Sequence, residues 1–161
     1  MPVHKLQIND FVVADYKLIA LYSPLEDYRL AYFINSKLQI RLEKHPVGIG
    51  IKIREGESSF SRFVYDDEDT GIFWNFIQNK NKVLSGQPKY VSLFEETGLD
   101  ITTRVFLIPE FKTADYILKI DYVPDDFETE NLVQKLLSLK HITTACIINQ
   151  DRLKSKNNLI F

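Results

Sequence analysis

The chain of 161 residues contains a single cysteine, a single tryptophan, only six glycines and only three histidines. Each shortage removes a class of chemistry. Cys146 by itself cannot close an intramolecular disulfide, and its place in the apolar run Ile142 to Ile148 reads as a small buried thiol, which points to a cytosolic setting. His4, His45 and His141 are scattered singly, without a His-x-x-x-His or His-Glu-x-x-His spacing, so a zinc centre has no support. No metal or other cofactor is expected. Gly48-Ile49-Gly50 is a fragment of a dinucleotide fingerprint that lacks its third glycine and the helix that should follow. With no P-loop lysine and no G-x-S-x-G elbow, nucleotide hydrolysis and α/β-hydrolase chemistry are unsupported as well.

An excess of one charge is also missing. Twenty Lys and Arg nearly balance twenty-two Asp and Glu, for a formal net charge of −2. No domain-wide positive field awaits a phosphate backbone, which counts against nucleic acid as a partner. No window reaches the apolar length of a membrane span, and Met1 to Asp10 has no secretory pattern, so the expected location is the cytoplasm, away from membranes.

Apolar and aromatic residues are abundant. The chain is 45% hydrophobic, with 11 Phe and 8 Tyr, enough for one folded core over residues 1–149, followed by a polar tail at 150–161. Phe11 to Tyr22 reads as a strand. Ser23, Pro24 and Glu26 read as the N-cap, N1 and N3 positions of a capping box, opening a helix whose apolar stripe includes Tyr28, Tyr32 and Phe33 and which weakens at Asn35 and Ser36. Leu38, Ile40 and Leu42 alternate with polar residues as in a strand with one buried face. Phe60 to Tyr65 and Ile72 to Ile77 flank an acidic tip, Asp66 to Asp69, which lacks the ligand spacing of a calcium loop; together they predict an aromatic β-hairpin. Asn79 to Gly98 reads as irregular. Strands are predicted at Thr102 to Ile108, Tyr116 to Tyr122 and His141 to Ile148, with a helix between the last two.

These elements predict an α+β fold: a ferredoxin-like α/β sandwich of two β-α-β units, with the aromatic hairpin inserted between them. Ala14-Asp15-Tyr16, Leu18, Tyr22 and Pro24 recur, displaced by 100, as Ala114-Asp115-Tyr116, Leu118, Tyr122 and Pro124. Internal duplication and shared turn chemistry both account for that recurrence.

Ile108-Pro109-Glu110-Phe111-Lys112-Thr113-Ala114-Asp115-Tyr116 packs a proline, two carboxylates and two aromatics into nine residues. It resembles the signature of a bacterial family named IPExxxVDY, with Ala114 at the valine position. The resemblance implies no reaction or cofactor. Glu110 and Asp115 are candidates for an acid/base pair, because carboxylates held near one turn shift each other's titration. Turn chemistry is the favoured explanation, with Asp115 accepting from backbone N–H groups, Glu110 capping a short connection and Tyr116 packing. Glu110, Tyr116, Trp74 and Phe76 are the candidate binding residues.

The leading expectation is a non-enzymatic cytosolic domain that binds a protein or small-molecule partner, or itself along a sheet edge. One alternative is a small enzyme using Glu110 and Asp115. A second is a single-stranded RNA binder stacking bases on the hairpin aromatics.

Overall fold

The computed structural model describes residues 16–85 and 101–161. In chain order these form β1 (Tyr16–Tyr22), α1 (Asp27–Leu38), β2 (Glu43–Lys44), β3 (Ile49–Ile53), β4 (Gly56–Phe60), β5 (Arg62–Asp67), β6 (Ile72–Gln78), β7 (Lys80–Ser85), β8 (Ile101–Phe106), β9 (Tyr116–Asp121), α2 (Thr129–Leu137) and β10 (Thr144–Ile147). The fold is mixed α+β. Six strands make one antiparallel sheet in the order β10-β1-β9-β6-β5-β2, while β3-β4 and β7-β8 are separate two-stranded hairpins.

Both faces of the sheet are covered, which explains why its central strands read as nearly continuous apolar runs. On one face Ile19, Leu21, Phe76, Leu118 and Ile120 pack against Leu30 and Ile34 of α1 and Leu132 and Leu136 of α2. On the other, Leu18, Ala20, Ile77 and Ile117 meet Ile49, Phe60, Val83, Val105, Leu153 and Leu159. The last two belong to residues 150–161. That segment is therefore docked, not frayed: it makes 3₁₀ turns at Gln150–Arg152 and Lys156–Leu159, and Asn158 Nδ2 donates to Leu107 O (2.8 Å). Two leucines spaced six apart gave too weak a period to show this beforehand.

Several elements begin or end elsewhere than the sequence suggests. Ser23 does not cap α1: its Oγ accepts from Leu25 N (3.2 Å) in a turn, and the helix opens three residues after Pro24, at Asp27. Leu38, Ile40 and Leu42 form no strand. Instead α1 runs through Asn35 to Leu38, and the Asn35 amide takes up both backbone groups of Leu42, donating to its O (3.1 Å) and accepting from its N (2.8 Å). A side chain thus does the work of a ladder partner. Lys80–Ser85, in the stretch read as irregular, is β7; the rest of that stretch from 86 onward, like residues 11–15 of the first predicted strand, lies outside the described residues.

The aromatic pair β5-β6 is no appendage, since β6 lies directly against β9 in the main sheet. The displacement by 100 also acquires a physical answer. β1 and β9 pair with Leu18 opposite Lys119, so residues 18 and 118 point to opposite faces: Leu18 lies under the hairpins and Leu118 under the helices. Related units would keep one face, so shared local chemistry explains the recurrence. No helix among the described residues is long and apolar enough to cross a membrane.

Candidate functional site

The signature segment forms the bend between β8 and β9. Pro109 opens a 3₁₀ turn, Pro109–Phe111, where its missing N–H is no loss and its fixed φ suits the turn. Asn79, fully buried between β6 and β7, holds this bend. Its Nδ2 donates to Phe111 O and Ala114 O and its Oδ1 accepts from Ile108 N, each at 2.9 Å. Its backbone adds two more bonds, N–H to Asp115 O and O from Leu107 N, both 2.9 Å.

Glu110 leaves the bend toward the C-terminal segment. Oε1 accepts from Lys154 N (2.5 Å) and Ser155 N (2.9 Å), and Oε2 from Ser155 Oγ (2.7 Å). Partial desolvation raises its pKa, but the Ser155 and Lys154 donors together with its own N–H outweigh that, and the net direction is downward. Asp115 is equally committed: Oδ2 accepts from Ser23 N (2.9 Å), and Oδ1 pairs with Lys80 Nζ (2.9 Å). The two carboxylates share no partner. Each is already satisfied by donors, so neither is poised to exchange a proton with the other.

The remaining candidates are core. Phe76 is fully buried and Trp74 nearly so, both packed under the helices with Phe63 close to Phe76 (ring centroids 6.0 Å apart). No base could stack on them. Trp74 borders a small depression of about 210 Å³ with Phe127. Tyr116 donates its hydroxyl to Leu25 O (2.5 Å), and burial, with Asp27, Asp115 and Glu26 nearby, pushes its pKa well above the ordinary tyrosine value.

Two adjoining concavities open beside the bend. The first, about 420 Å³, is acidic, with Glu26, Asp27 and Asp115 on its walls above Tyr116. The second, about 910 Å³, is cationic: Lys80, Lys82, Arg104 and Lys112 line it together with Phe106 and Thr113. Gln78 and Lys80 line both and form the divide, with Lys80 paired to Asp115 on the acidic side. Register explains the cationic wall. In β7-β8, Lys82 faces Arg104 and Lys80 faces Phe106, so alternation turns Val83 and Val105 into the core and these four side chains outward. The signature then adds Lys112 and Thr113 from its own bend. Among the described residues Lys82, Arg104 and Lys112 have no carboxylate partner.

The acidic tip Asp66 to Asp69 instead ties up its own turn, where Asp67 accepts from Asp69 N and Thr70 Oγ1. No cluster of three metal-ligating side chains occurs among the described residues. Sequence reasoning missed Asn79 and the four cationic residues. Lys80-x-Lys82 and Arg104-x-Phe106 do carry a period of two, yet only cross-strand register puts them on one face. Against known proteins, no family model matches the chain and no curated protein matches it.

Proposed function

We propose that the protein is a non-enzymatic, cytoplasmic binding domain that takes its ligand in the cationic groove beside the 108–116 bend. The observation carrying this reading is the division of labour within the signature: Glu110 and Asp115 are consumed by backbone and lysine donors, while Lys112 and Thr113 stand on the wall of an open groove. The groove volume falls in the range of small-ligand sites. Membership of the IPExxxVDY family belongs to the same reading, supported by that segment. So does a ferredoxin-like sandwich: the order β10-β1-β9-β6, with α1 and α2 packed on one face, suits units β1-α1-β6 and β9-α2-β10.

The test is a metabolite and peptide screen by thermal shift, with hits mapped on backbone amide resonances and checked by proton NMR for turnover. Shifts should concentrate at residues 78–82, 104–106 and 112–113, with every hit recovered unchanged. Hits that map only elsewhere, or that are converted to product, would sink the reading.

Self-association along β10 is a second reading, favoured by Ile147, which is 43% exposed on a strand whose outer side pairs with no described strand. Light scattering after size exclusion should then give twice the monomer mass, returning to the monomer in Ile147→Lys; a monomer at every concentration rules it out.

A further inference from the structure

The chemistry of the cationic groove narrows what it can hold. Lys82 and Arg104 stand directly opposite each other on β7 and β8, a like-charge cross-strand pair that weakens the hairpin unless something anionic lies between. Lys112 brings a third cation from a different element, and Lys80 a fourth whose charge Asp115 already balances. Three cations that have no carboxylate partner among the described residues thus converge from β7, β8 and the signature bend. Next to Arg104, on the same face, lies Phe106, a partly buried ring with its neighbour's guanidinium at hand; both surfaces accept a flat π-system. Thr113 and Gln78 add neutral groups that could bond to hydroxyls.

We propose that the groove binds a small ligand joining a phosphate chain to a planar ring, of the class of a nucleoside diphosphate, with the phosphates on Lys82, Arg104 and Lys112 and the ring on Phe106. This rests on the groove being the binding site. A diphosphate ester carries about three negative charges near neutrality, matching the charge of Lys82, Arg104 and Lys112. A long polyanion is disfavoured, because the chain as a whole is net negative and the acidic concavity abuts the groove.

Calorimetric titration of the full chain with nucleoside diphosphates decides the matter, with inorganic pyrophosphate, an unphosphorylated nucleoside, a short single-stranded oligonucleotide and a poly-glutamate peptide as the other arms. At least one nucleoside diphosphate should bind more tightly than pyrophosphate and far more tightly than the nucleoside. Arg104→Ala, at an exposed position where melting temperature verifies folding, should weaken that binding about tenfold or more, as should Lys112→Ala. Phe106→Leu, which keeps the apolar volume, should weaken the nucleotide and leave pyrophosphate unchanged. Absence of binding by every phosphate compound overturns the inference, as does nucleotide binding that survives in Arg104→Ala. Tighter binding of the oligonucleotide than of any mononucleotide overturns the small-ligand assignment. Binding of the acidic peptide alone overturns the phosphate assignment while leaving the groove as a binding site, so the two readings fail separately.

Discussion

Replacing Asn79 with alanine removes three side-chain hydrogen bonds at once and leaves the buried Ile108 N–H and Ala114 O without that partner, while Phe111 O keeps its bond from Ala114 N. At about 1–3 kcal/mol for each buried group left unpaired, Asn79→Ala should cost about 3 kcal/mol or more, read from urea denaturation. Asn79→Asp should be no better, since it keeps the acceptor but loses both donations. Glu110 acts in the other direction, outward to the C-terminal segment. Its pKa is depressed in the folded state, so its ionised form stabilises the fold above the unfolded-state value, and that contribution disappears as pH falls through the folded value. The melting temperature of the wild type minus that of Glu110→Gln should therefore be positive at neutral pH and shrink toward zero under acid conditions. Glu110 is exposed, so the effect is modest. A constant difference across the titration would mean that the carboxylate charge plays no part.

At the scale of elements, the hairpin β7-β8 trades stability for a cationic face. Arg104→Glu would turn a repulsive pair with Lys82 into an attractive one, worth about 0.2–1 kcal/mol in cross-strand interaction. It should raise the melting temperature slightly and abolish anion binding, a combination that a purely structural role for Arg104 does not produce. The hairpin β3-β4 shows why Gly48 is glycine. A Cβ there would stand 2.6 Å from Phe60 O and 2.5 Å from Ser59 Oγ, so the Gly48-Ile49-Gly50 fragment serves backbone approach between strands. Helix α1 ends at Gln39 in the left-handed region (φ 58°, ψ 40°), where glycine is preferred. Gln39→Gly should stabilise the protein by about 1 kcal/mol at most, measured by chemical denaturation; a loss would show that the Gln39 amide bond to Ser36 O matters more than the backbone strain.

For the whole molecule, residues 150–161 complete the second core instead of trailing from it. Leu159→Ala should cost about 2–5 kcal/mol, like other buried leucine truncations, whereas a free tail would show no change in denaturation midpoint. The segment also ends on a charged cluster: the Phe161 ring receives the Arg62 guanidinium (4.8 Å) and Lys119 Nζ (5.3 Å), while Lys119 pairs with Asp121 (2.5 Å) on the same sheet face. The sequence by itself determined the α+β class, the approximate positions of β1, β5, β6, β9 and α2, and the core membership of most apolar residues, because those depend on local periodicity and on how much apolar surface a segment must bury. It also marked Glu110 and Asp115 as belonging to one bend. What only tertiary structure decided is whom each polar residue meets. Asn79 reaches across some thirty positions to hold the signature, Glu110 reaches forty-five to the C-terminal segment, and Lys82 faces Arg104 through strand register. Hydrogen-bond partners and charge clusters depend on distances in space between residues far apart in the chain, and no local pattern encodes them.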